Sequence, residues 1–145
     1  MAIVNRISEQ EYRELALNEQ DRLWELWDGV PREKPLMSMK HEDVASYFGA
    51  ALIAQLDRPL FRVNINGGRA RLSPRSYYIP DVVVIPASYN KTPFEDDPQA
   101  FNVFAEPLPL VVEVRSRSTG AYDVETKLQG YREHGDAEIL VHPAL

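Results

Sequence analysis

The chain has 145 residues, 44% of them hydrophobic, which suffices for one core covered by two layers and is short for several domains. It contains no cysteine, which excludes disulfides, thiolate nucleophiles and thiolate zinc sites together and fits a reducing compartment. A net charge of -6, from 22 acidic and 16 basic residues, has the wrong sign for holding nucleic acid on a broad electrostatic surface, so any such contact must be local, metal-assisted or weak.

The opening segment MAIVNRISEQEYREL has no apolar run of the signal-peptide kind, and no stretch of about 18 apolar residues occurs. A cytoplasmic protein with no membrane partner is expected, folded as one domain over residues 1–145. Ser8 followed by Glu11 has capping-box spacing ahead of a short helix through about Asn18, with Tyr12, Leu15 and Leu17 supplying apolar surface. LWELW, Asp28-Gly29 and VPREKPLM read as two strands around a tight turn. Pro31 and Pro35 make the second strand an edge. From Ser38 to about Leu56, Val44, Tyr47, Phe48, Ala51, Leu52 and Gln55 recur at three- and four-residue steps, predicting an amphipathic helix that covers a sheet.

PLFRVNI, RARLS and YYIPDVVVIP read as strands, separated by Asn66-Gly67-Gly68 and by Ser73-Pro74. The run from Ala87 to Pro107 is broken by prolines and poor in β-branched residues, and reads as a long irregular loop. LPLVVEVRS, residues 108–116, is apolar on both faces, as in a central strand covered on each side. A helix from about Asp123 to His134 and a last strand, EILVH, follow.

Two acids stand out. Glu113 lies in a strand otherwise made of valines, and Asp81 follows Pro80 and opens VVVI. Burying an ionised carboxylate without a partner costs several kcal/mol, so each needs compensation. Two such acids at the ends of adjacent buried strands can converge on one cation, with hard oxygen ligands suited to magnesium or manganese. Alternatively, each is neutralised by an arginine or by backbone donors, and spacing alone leaves both readings open.

Trp24-Glu25-Leu26-Trp27-Asp28-Gly29, the helix with His41, Ile79-Pro80-Asp81-Val82-Val83, the stretch from Leu110 through Glu113 to Thr119, and Asp123 through Lys127 to Tyr131 occur in that order. Together they resemble the Uma-two family of restriction-endonuclease-like proteins, over about Glu11 to Pro143. The resemblance implies the PD-(D/E)XK phosphodiesterase fold, an α/β arrangement with a mixed sheet flanked by helices, and magnesium-dependent cleavage of DNA. It implies that Asp81 and Glu113 are metal ligands for Mg2+ or Mn2+, that Glu25 is the additional acid, and that Lys127 supplies the motif's lysine from the following helix. Arg115 stands where that lysine is usually found. As a base-incapable, always protonated group it is expected to partner phosphate or carboxylate. A lysine at the border of an apolar helix stripe, as Lys127 is, more commonly just covers apolar surface.

His41 could orient a phosphate or the metal shell, although a single histidine in a helix's first turn is commonly exposed. Ser116, Ser118 and Thr119 could serve a phosphate or cap the next helix. Trp24 and Trp27 fall on opposite strand faces. Against the family pattern, Arg117 stands where many members have proline, His142 replaces a common aspartate, the last strand lacks aromatic residues, and relatives continue with further strands. A shortened C-terminal part would leave a sheet edge that can pair with a second subunit, so a homodimer is expected. Two function classes result: a metal-dependent endonuclease acting on DNA, and a nuclease-fold dimeric interaction module without catalysis.

Overall fold

The computed structural model describes residues 5–35, 38–89, 102–115 and 124–142. The first helix, α1 (Glu9–Asn18), is closed at its start by the expected capping box: the Glu11 amide donates to Ser8 Oγ at 3.1 Å and the Ser8 amide to Glu11 Oε1 at 3.0 Å. Strands β1 (Trp24–Trp27) and β2 (Val30–Glu33) form an antiparallel hairpin. Its turn residues Asp28 and Gly29 both have positive φ, 48° and 82°, which matches the right-handed twist of the strands.

Ser38 caps α2 (Met39–Gln55) by accepting from the His41 amide. The buried stripe of α2 is narrower than the sequence predicts. Ala45 and Gly49 are buried and Phe48 and Leu52 pack beside them, while Tyr47 is 73% exposed. Ala45 and Gly49 let the helix lie close on the sheet, and a Cβ on Gly49 would meet only the end of the Ile65 side chain, Cδ1 at 2.6 Å.

Next come β3 (Phe61–Ile65), β4 (Gly68–Ser73), β5 (Ser76–Tyr78) and β6 (Val82–Pro86). The single strand expected over YYIPDVVVIP is thus two strands, and they belong to different sheets. Pro80 lacks an N–H, so the ladder cannot run through it, and the chain uses Ile79-Pro80-Asp81 to cross from one sheet to the other. The loop expected over 87–107 contains a short strand, β7 (Asn102–Phe104), beside residues outside the described set. Three residues with one β-branched member give no sequence signal; pairing with β4 makes the strand. Strand β8 (Leu110–Val114), helix α3 (Val124–His134) and β9 (Glu138–His142) complete the order.

The strands form two mixed sheets, β2-β1-β5-β4-β7 and β3-β6-β8-β9. As predicted, β2 is an edge and β8 is internal. The alternation of side chains across each strand decides what lies between the sheets. Leu26 and Tyr77 turn outward to Tyr12 and Ala16 of α1. Val82 and Val112 turn outward to Ala45 of α2. Trp27, Tyr78, Val83, Val111 and Phe104 turn inward and meet Tyr131 of α3 in the central core. Glu25 has the parity of Trp27, Asp81 that of Val83 and Glu113 that of Val111, so all three acids are aimed at this inner space. Strand β9 is an edge, with Leu140 42% exposed.

Candidate active site

Antiparallel pairing of β6 with β8 matches Val82 with Val112, which sets Asp81 opposite Glu113. The Val114 amide donates to Asp81 Oδ2 at 2.6 Å, locking that relation. Helix α3 lays Lys127 and Tyr131, one turn apart on one face, over the same spot. Lys127 Nζ is 2.6 Å from Glu113 Oε1 and 2.8 Å from Glu25 Oε2, and it donates to the Ile79 carbonyl at 3.0 Å. The Tyr131 hydroxyl donates to Glu113 Oε1 at 2.6 Å. Glu25 also accepts from Trp27 Nε1 at 3.1 Å and from the Ile79 amide at 2.6 Å.

A second lysine completes the arrangement. Lys34, just beyond β2, puts Nζ 2.6 Å from Asp81 Oδ1 and donates to Asn66 Oδ1 at 2.6 Å and to the Ile79 carbonyl at 2.9 Å. His41 Nε2 lies 3.1 Å from Asp81 Oδ2. The Ile79 peptide groups are available for three of these contacts because the Pro80 break removes them from strand pairing.

Every sequence-predicted site residue, Glu25, Asp81, Glu113 and Lys127, is therefore in one cluster, and all four are buried. Lys127 does not merely cover apolar surface; its side chain is 0% exposed and paired with two acids. His41 points inward to Asp81. Arg115 takes a carboxylate partner, Glu125, in an exposed ion pair away from Glu113. Ser116, Ser118, Thr119, Arg117 and Asp123 lie outside the described residues. Sequence reasoning missed Lys34, whose only signal is a lysine between a strand end and Pro35. Tyr131 entered as the end of the stretch that carries the resemblance, with no role assigned to its hydroxyl.

Burial drives the Glu113 carboxyl up to about 7, further raised by Asp81 and Glu25, with Lys127 and Lys34 opposing. Burial also pushes Asp81 upward, yet Lys34, His41 and Lys127 override it and hold the carboxyl well below its ordinary value. The Tyr131 hydroxyl is raised well above its normal range, first by burial and then by Glu113, and stays a hydrogen-bond donor. Two adjacent acids thus have opposite proton affinities, as in sites built for acid–base or metal chemistry.

Three carboxylates face two lysines, so a negative charge is left for a cation to balance when Glu113, raised to about 7, is ionised. Among the described residues no group of three or more histidine, aspartate or glutamate side chains is arranged to hold a metal ion. Two carboxylates are enough for magnesium, which takes one or two such ligands and keeps waters or substrate oxygens for the rest. Asp81 Oδ1 and His41 Nε2 are both buried, and each is already in close polar contact, with Lys34 and with Asp81 Oδ2 respectively. By the chemistry of their oxygen donors, Asp81 and Glu113, with His41 beside them, are the groups that would hold a small hard divalent ion.

The chain also compares with known proteins. A crystal structure titled as a "putative nuclease belonging to DUF820", from Anabaena variabilis, superposes with a TM-score of 0.73 at 20% identity, over 94% of this chain and 74% of that one. That likeness establishes the nuclease-type α/β fold. No curated protein matches. No helix among the described residues is long and apolar enough to cross a membrane. The profile of the Uma2 family, described as "Putative restriction endonuclease", matches residues 9–143, and the chain belongs to that family.

Proposed function

We propose that the protein is a divalent-metal-dependent endonuclease that hydrolyses DNA phosphodiester bonds. The observation that carries this reading is the convergence of Glu25, Asp81, Glu113 and Lys127 in one buried cluster between the two sheets. Asp81 and Glu113 are the residues that would hold magnesium or manganese. When bound, such an ion polarises a phosphoryl oxygen and lowers the pKa of an attacking water. Lys127, fixed by Glu25 and the Ile79 carbonyl, positions water or balances negative charge developing on phosphorus. Tyr131 orients Glu113, and Lys34 with His41 holds Asp81 ionised.

Two arms test the reading. Millimolar manganese is expected to raise the melting temperature of the parent, and Asp81→Asn with Glu113→Gln to abolish the rise. The same ion is expected to support nicking of plasmid DNA, which EDTA stops and low salt promotes. A double variant that responds to manganese as the parent does sinks the metal assignment.

A second reading, a homodimeric interaction module that keeps the fold without catalysis, draws support from two observations. Each acid already has an ion-pair or hydrogen-bond partner, and β9 is an edge strand with Leu140 exposed. DNA left intact across several metals, together with concentration-dependent dimerisation in sedimentation, would select it.

A further inference from the structure

Beside the buried cluster lies a surface feature of opposite charge. An open cleft of 540 Å³ is lined by Arg6, Trp27, Asp28, Arg32, Tyr78 and Thr126, among others. The volume is within the range of small-ligand sites. Although the chain carries -6 overall, two arginines, Arg6 and Arg32, line this cleft, and Arg6 shares the acid Asp28 with Arg75 beside it. Arg6 Nη2 is 3.5 Å from Asp28 Oδ2, and Arg75 Nη2 is 3.2 Å from Asp28 Oδ1. Arg32 has no ion-pair partner among the described residues; its guanidinium lies over the Trp27 ring, 4.2 Å from the centroid. Stacking fixes the plane of that fork while leaving its edge donors available, which is how arginine is prepared for phosphate.

The cleft shares its walls with the cluster. Trp27 donates to Glu25, the Tyr78 ring centroid is 6.0 Å from Lys127 Nζ, Thr126 precedes Lys127, and Arg32 is the cross-strand partner of Glu25. An anion in the cleft is thus one aromatic layer away from the proposed catalytic groups.

We propose that this cleft is a phosphate subsite for the DNA backbone, with Arg32 and Arg6 as its ligands and Asp28 as the group that restrains Arg6 and Arg75. It deepens the nuclease reading and rests on it for the identity of the anion. It also answers the charge problem of an acidic chain: contact is made through a local arginine cleft rather than a broad surface. Asp28 offers a test in the opposite direction from loss of binding. Its φ of 48° suits asparagine as well as aspartate, so Asp28→Asn removes the acid and keeps the turn.

The experiment measures binding of the full chain to short labelled single-stranded and duplex oligonucleotides by fluorescence anisotropy, in EDTA so that cleavage plays no part. Arg6→Gln combined with Arg32→Gln is expected to weaken binding about tenfold or more and to flatten the dependence of log K on log salt by about two units. Arg32→Lys should keep the salt slope while losing affinity, because it retains charge and loses the planar fork. Asp28→Asn should tighten binding, and Arg58→Gln, an exposed arginine before β3, should leave it unchanged. Thermal melts establish that each variant is folded. An unchanged salt slope in the double variant, an equal loss in Arg58→Gln, or no binding by the parent at low salt overturns the subsite. Arginine-dependent binding without cleavage under any metal leaves the subsite standing and removes the nuclease reading; cleavage with arginine-independent binding does the reverse.

Discussion

At the scale of single residues, Lys127 is the hinge of the electrostatics. Removing it leaves Glu25 and Glu113 buried without their shared cation, so Lys127→Ala is expected to cost about 3–5 kcal/mol in urea unfolding, the usual penalty for breaking a buried pair. Arg115→Ala breaks only an exposed pair with Glu125 and is expected to cost less than about 1 kcal/mol. The two acids predict opposite pH limbs for metal-free protein. Glu113 titrates near 7 when folded and near 4.5 when unfolded, so the folded state binds the extra proton between those values. Its stabilisation is complete below pH 4.5 and is lost as pH rises through 7. Asp81 is lowered from 3.8; its contribution is present above that value and is lost as pH falls further. Denaturant melts across pH in EDTA should therefore show that Glu113→Gln flattens the slope between 4.5 and 7 and leaves the acid limb in place.

At the scale of elements, close approach of helix to sheet positions the site. Gly130 sits on α3 between Lys127 and Tyr131, and a Cβ there would meet Leu72 Cδ2 at 2.5 Å and the Tyr78 ring at 2.6 Å. Gly130→Ala is expected to destabilise by about 1–3 kcal/mol from overpacking, exceeding the helix-propensity gain of about 1 kcal/mol. Gly49→Ala on α2 provides the contrast. Its nearest neighbour is the flexible end of Ile65, a residue 41% exposed and able to turn away. Thermal melts should find that variant neutral or slightly more stable, and a large loss there would mean that α2 cannot accommodate any shift of Ile65.

At the scale of the whole molecule, the cluster joins parts that are distant in the chain. Glu25 lies in β1 and Lys34 just past β2 of one sheet, Asp81 just before β6 and Glu113 in β8 of the other, and Lys127 in α3. Their energies are expected to be strongly non-additive. A double-mutant cycle of Glu25→Gln and Lys127→Met should give a coupling of about 0.5–3 kcal/mol, and additive losses would mean that the Glu25–Lys127 contact contributes little to stability.

Local chemistry was sufficient for part of this. The Ser8–Glu11 box, the Asp28-Gly29 turn, the Ser38 cap and the valine-rich strand around Glu113 act within a few residues, so their residue types alone determined helix starts, the hairpin and the central strand. Asp81 and Glu113 were legible for the same reason: a carboxylate inside an apolar run requires a partner whatever the fold. The partners themselves were decided by tertiary structure. Nothing local distinguishes Lys34 or Lys127 from a solvated lysine, since burial of an ammonium depends on two sheets and a helix closing around it. The division of YYIPDVVVIP between sheets, the strand at Asn102–Phe104 and the exposure of Tyr47 likewise follow from pairing and packing partners that lie far away in the chain.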